Sequence, residues 1–342
     1  MKLEHYVIVF FITTITIFLV ANYKVQTLEV LDNRTEEYNR NIDQAADDAM
    51  RDMIELTDSF SKEINLEECQ QGFFNSLFAS FGVVDSPTGQ NELKLYIPVL
   101  LVTDVDGFYV MHHCKNEAES ISVMQWSHKM PYCFSSVMKD PNDPSAVFKY
   151  TIDYRMNDEI SLALTYKGVT KFYEGKYKYL STLYTDSMLD SFMDAAARPG
   201  QVFSAEKFDE IRISAMTYQI AKKVNYYVNK HNDIAGSYGI SYEFSLPESS
   251  TDSFARTIDS VSMMAIFQGY PFGVGTDDVY SRFSVSGSRL FKTGRYVVQA
   301  GEGGVKYYHR SNCPKVTDKS TTFSTKRECA EHGAYPCSSC SP

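Results

Sequence analysis

The sequence predicts an α+β protein carried on an N-terminal membrane helix, and three observations predict it. An uncharged apolar run opens the chain, long helical stripes then alternate with short strand-like segments, and cysteines with a histidine crowd the far end. The chain has 342 residues, with 33 Lys+Arg against 43 Asp+Glu, a formal net charge of −10. That balance argues against general nucleic-acid binding, because phosphate contacts need clustered Lys and Arg. The 24 Tyr and 22 Phe suit half-buried sheet surfaces. The expected division is a transmembrane anchor at 1–25, a stalk helix at 26–66, an α+β domain at 67–300 and a metal module at 301–342.

Tyr6 to Ala21 reads YVIVFFITTITIFLVA, without charge and with Thr as its only polar residue type. Extended to Val25 it has about 20 residues, enough to cross a hydrocarbon core of roughly 30 Å. The Thr hydroxyls are tolerated there because they bond back to the preceding turn. A cleaved signal peptide is the competing reading, but Leu19-Val20-Ala21 fits the small-residue cleavage pattern poorly. A prepilin-type leader would need Gly before the run, which Met1-Lys2-Leu3-Glu4-His5 lacks. Lys2 precedes the span and Lys24, Arg34 and Arg40 follow it, so charge does not decide orientation. The short N-tail is easily left inside, which places the bulk of the chain outside the cytoplasm. No second apolar run of sufficient length follows, so the expected protein is single-pass.

Residues 24–66 read as one long helix. Leu31, Tyr38, Ile42, Ala45, Ala49, Met53, Leu56 and Phe60 recur three or four apart, without Gly or Pro between them. Such a stripe is either the face that packs on the following domain or a seam for protein partners, including a second copy of the chain.

The segment 91–113 reads as a hairpin, with a strand Leu93 to Thr103, the turn Asp104-Val105-Asp106-Gly107, and a strand from Phe108. Gly107 is expected to supply the positive φ of a tight connection. D-x-D-G also begins a calcium loop, but the downstream ligands of such a loop are missing. Anchor, long helix and a strand ending at D-x-D-G together resemble extracytoplasmic sensor domains of Cache or PAS type, and that resemblance implies a ligand-binding role. Strands are expected at 147–156, 159–166 and 169–173, with Asn157-Asp158 as a turn, and at 239–246, 280–290 and 296–300. A second long helix is expected at 203–231. The apolar, Gly/Pro-punctuated run 259–273 is expected to tuck against the sheet.

No Gly-rich phosphate loop and no framed serine nucleophile occur. His112 and His113 precede Cys114, but neighbours on a strand point to opposite faces, so His113 and Cys114 would not meet. Trp126 to Cys133 reads as an ordinary polar-aromatic loop. The expected protein is therefore not an enzyme.

At the far end, His309 and Cys313 stand in an H-x3-C spacing, and Cys337 and Cys340 in C-x2-C just after Gly333. Four soft or borderline ligands in two pairs are what tetrahedral Zn²⁺ takes, and four protein ligands leave no open position, so the zinc is structural. A segment this short has too little core to fold alone, and the metal supplies folding energy. Disulfides among Cys313, Cys329, Cys337 and Cys340 are the alternative outside a cell. Cys329 is the spare cysteine and His332 a lesser alternate ligand, while Cys69, Cys114 and Cys133 read as separate thiols. His309-Arg310 with Cys313, Phe323, Cys329-Ala330-Glu331-His332-Gly333-Ala334-Tyr335, and Pro336-Cys337 with Cys340 and Pro342 resemble the Ada-type zinc-binding domain. That resemblance implies a zinc staple. In that family the first ligand is a methyl-accepting cysteine. The position is His309 in this chain, so the resemblance does not imply methyl transfer.

The expected function is a single-pass, membrane-anchored, non-enzymatic structural protein of a bacterial surface or secretion apparatus of pilus-like kind. The Cache/PAS-type sensor is the alternative.

Overall fold

The protein is described by a computed structural model over residues 3–53, 64–115, 122–143, 145–204, 207–236, 242, 260–273, 278–287, 296–301, 304–310, 313–317, 321–323, 329–330 and 332–338. Among the described residues it is a mixed helix-and-sheet protein with three sheets, mostly antiparallel, and one long apolar N-terminal helix.

That helix, α1, runs unbroken from Leu3 to Met53, about 76 Å at 1.5 Å per residue. Its first half is exposed and apolar, as at Phe10, Ile12, Ile17 and Phe18, and among the described residues it is long and apolar enough to cross a membrane. Thr14 and Thr16 donate to the carbonyls of Phe10 and Ile12 at 2.8 Å, so their hydroxyls are satisfied within the helix. The second half carries the expected stripe, and its own body covers it: Tyr38, Ile42, Ala45, Ala49 and Met53 are buried. The boundary at 25–26 has no break. Leu56 and Phe60 lie outside the described residues.

Helix α2 (Leu66–Ser80) lies against α1. Asn65 caps it by accepting from the amides of Glu67 and Glu68 at 3.1 and 3.2 Å. Phe73, Phe74, Leu77 and Phe78 form its buried face. Ala45, Ala46 and Ala49 on α1 and Gly72 on α2 let the helices approach closely; a Cβ on Gly72 would lie 2.5 Å from the Asp52 carboxylate.

Helix α3 (Pro87–Leu95) replaces the first part of the expected strand. Ser86 caps it by accepting from the Gly89 amide at 3.2 Å, and Pro87 presets its first turn. The strand begins only after Pro98. The central sheet has the order β3-β2-β1-β8-β9, from β1 (Val99–Asp104), β2 (Gly107–Lys115), β3 (Ser122–Trp126), β8 (Ser262–Pro271) and β9 (Val279–Gly287). Val99 to Thr103 and Ser262 to Phe267 are buried on both faces, the continuous apolar signature of central strands. The run 259–273 is therefore a middle strand of the sheet and does not pack against it from outside.

A second sheet is the meander β4 (Tyr132–Lys139), β5 (Val147–Tyr154), β6 (Glu159–Tyr166) and β7 (Val169–Lys176). Its β4 extends out of the expected Trp126–Cys133 loop. Lys167 (φ 47°) and Gly168 (φ 82°) make the tight β6–β7 turn. Helices α4 (Leu180–Leu183), α5 (Ser187–Ala196) and α6 (Phe208–Ala235) complete the body. Phe192 of α5 sits 5.7 Å from Phe148 and 5.1 Å from Tyr150, while Phe208 of α6 stacks on Tyr177 at 3.8 Å. The expected strand 239–246 lies outside the described residues except for Tyr242, and so does the end of the expected strand 280–290.

One core links α1 from Tyr38 onward, α2, both sheets, α5 and α6. The third sheet, in the tail, has the order β12-β10-β11-β13, from β10 (Tyr296–Ala300), β11 (Lys306–Arg310), β12 (Thr322–Phe323) and β13 (Ala334–Pro336). It keeps a separate small core of Val298, Tyr308, Cys329 and Ala334.

Candidate metal centre

The tail sheet explains how a short segment gathers its ligands. Strands β10 and β11 pair with Val297 opposite His309 and Val298 opposite Tyr308. Side chains alternate between faces, so His309 shares the face of Val297, and Tyr308 shares that of Val298. Strand β13 adds in parallel to β11, Tyr308 against Pro336, and the Cys337 amide donates to the Tyr308 carbonyl at 3.0 Å. That pairing brings Cys337 beside His309. Gly333, at φ 74°, makes the turn that starts β13. Cys313 follows β11 and opens a turn in which the Val316 amide donates to its carbonyl at 3.0 Å.

His309, Cys313 and Cys337 thus come together, their ligand atoms all within 4.8 Å of one another and all three residues buried. The group could hold a metal ion. His309 Nδ1 is buried without a hydrogen-bond partner, an orphaned polar atom beside the two thiols. Burial, and secondly the nearby Lys315 ammonium, hold the imidazole below its usual range, which favours the neutral, ligating form. Cys340 lies outside the described residues. Cys329 is wholly buried on the other face of the sheet, in the small core with Val298 and Tyr308, so it is a packing residue. His332 stacks on Phe323 at 4.5 Å, away from the triad. No disulfide joins any two of the six described cysteines.

In the body, the acidic turn has its own cation. Lys129 bridges Asp104 at 2.6 Å and pairs also with Asp106. Gly107 does not have positive φ. Glycine is needed there because a Cβ would lie 2.6 Å from the Met130 carbonyl oxygen, which accepts from the Phe108 amide at 2.9 Å. His113 and Cys114 point apart as the strand period requires, but the same period places His112 with Cys114. Their Nε2 and Sγ are 3.2 Å apart. The i, i+2 spacing was the signal in the sequence for that pair.

Comparison of the chain with protein-family models, with curated proteins and with solved structures found no match.

Proposed function

We propose that the protein is a single-pass membrane protein that mounts its α+β body rigidly on the extracytoplasmic side, as a non-enzymatic assembly component of a bacterial surface or secretion apparatus of pilus-like kind. The observation that carries this reading is α1: one uninterrupted helix is exposed and apolar at Phe10–Val20 and part of the body core from Tyr38 to Met53. A body fixed to its anchor without a flexible joint suits a part that must hold position in an assembly. Exposed Leu28 and Val30 lie between the span and the body, and they are where neighbouring chains would contact it. The tail is a folding module closed by structural Zn²⁺ on His309, Cys313, Cys337 and Cys340, as its resemblance to the Ada-type domain implies. Zinc in such a site supplies cross-linking and no open coordination position. At D-x-D-G, the motif behind the sensor alternative, Lys129 pairs with both carboxylates.

Photo-crosslinking from position 28 in native membranes tests the assembly reading. Discrete adducts with a second copy or one other membrane protein support it, and adducts with lipid alone refute it.

A further inference from the structure

Strand geometry builds a second cluster of reactive side chains on β2 and β3. Val110, His112 and Cys114 share one face of β2, and the antiparallel register sets Gln125 opposite His112 and Val123 opposite Cys114. Gln125 is therefore the diagonal neighbour of Cys114, and its Nε2 donates to Sγ at 2.9 Å. His112 Nε2 faces the same sulfur at 3.2 Å. The sulfur thus lies between the Gln125 amide, which donates to it, and the His112 imidazole. His112 is 5% exposed, its ring is held 4.0 Å from that of Tyr227 on α6, and its Nδ1 is buried without a hydrogen-bond partner. Cys114 is only half-buried, and Val123 and Gln125 beside it are exposed, so a small reagent reaches the sulfur.

We infer that Cys114 is a nucleophilic thiol, with His112 as its general base, and that it is modified by low-molecular-weight disulfides. In this step Sγ attacks one sulfur of R–S–S–R and the thiol proton passes to His112 Nε2. The new S–S bond forms as the old one breaks. The departing R–S⁻ takes the proton from His112 and leaves as R–SH. The protein sulfur is oxidised to a mixed disulfide, the leaving sulfur is reduced, and a second thiol reverses the exchange. Burial holds the imidazole below its ordinary range and Lys230 adds to this, while the Val110 carbonyl opposes it, so the base form is present at neutral pH. Among the described residues, Tyr227 on α6 and His113 on the opposite strand face are the other titratable groups beside the pair.

The other half-buried body thiol is the internal control. Cys133 has no imidazole partner among its hydrogen bonds, and burial, with the Asp153 carboxylate, raises its thiol above the ordinary range. The test treats the full zinc-loaded chain in detergent micelles with 5,5′-dithiobis(2-nitrobenzoate) at pH 7 and assigns the labelled cysteines by peptide mass. Cys114 is expected to react at least about tenfold faster than Cys133. His112→Gln should lower its rate at least about tenfold. Equal rates at Cys114 and Cys133, or an unchanged rate in His112→Gln, overturn the inference. Gln125→Ala, at an exposed position, guards against a misfolded His112 variant. It should slow Cys114, whose sulfur then loses its amide donor; no slowing also overturns the inference.

Discussion

Acid should weaken the body at a place that can be named. His113 is 3% exposed, and its Nε2 lies 3.1 Å from both the Lys94 and Ile97 carbonyls, which only accept, so Nε2 carries the proton and donates. His231 does the same for the Leu95 carbonyl at 2.9 Å, with its ring 4.4 Å from that of His113. Together they satisfy the carbonyls at and just beyond the end of α3. A second proton on either ring would place charge in a buried site beside the other. Burial first, then His231, push His113 down to about 4. Its folded pKa is depressed, so its contribution is fully present above the unfolded value near 6.5 and is lost as pH falls toward 4. At 1.36 kcal/mol per unit, the loss is about 2 kcal/mol by pH 5 and about 3 kcal/mol by pH 4. The shift of His231 has the same direction and main cause and acts in the same window. Thermal unfolding of the full chain in micelles, followed by the fluorescence of its one tryptophan, Trp126, reports this region. Between pH 7 and 5 the midpoint should fall by on the order of 4–8 °C. His113→Gln keeps a donor toward the carbonyls and cannot titrate, so its fall should be clearly smaller. An equal fall in both proteins would refute the assignment.

Further outcomes follow from the same coordinates. Gly107→Ala should cost about 1–3 kcal/mol in urea unfolding, because the added Cβ meets the Met130 backbone oxygen and not a movable side chain. Phe108→Ala should cost about 3–5 kcal/mol, since the ring is 1% exposed and stacks on Tyr132 at 5.6 Å. Ile15→Arg, near the middle of the exposed apolar half of α1, should raise the cost of membrane insertion by about 3 kcal/mol in a glycosylation-reporter assay. A chelator should unfold the tail while the body midpoint by Trp126 fluorescence stays put, because the tail has a core of its own.

Local patterns were legible in the sequence wherever neighbouring residues decide the outcome. Strands β6 and β10 run over 159–166 and 296–300 as alternation predicts, and the Asn157-Asp158 turn lies between β5 and β6. The stripe from Tyr38 to Met53 also marked the buried face of α1. Long-range pairing was not legible. Met263 sits in mid-sheet because β8 pairs with Val102 of β1, far away in sequence, and a short apolar run looks alike inside a sheet or against one. Leu93 to Thr103 reads as one strand, yet the cap at Ser86 and the missing N–H of Pro98 divide it between helix and strand. At the metal centre, spacing alone brought forward His309, Cys313 and Cys337. The separation of Cys329 from them needed the two faces of the β10–β11 pair. Gly107 was read as a torsional requirement, but the constraint is the crowding carbonyl of Met130, which no local motif encodes.

Metal analysis of the reduced, full-length protein in detergent micelles tests the central claim most directly. About one zinc per chain is expected, with four-coordinate sulfur-rich ligation. It should be lost in His309→Ala and Cys337→Ser and retained in Cys329→Ser, whose side chain belongs to the core on the opposite face. A reduced protein that carries no metal, or a zinc lost as readily in Cys329→Ser as in Cys337→Ser, would contradict the account.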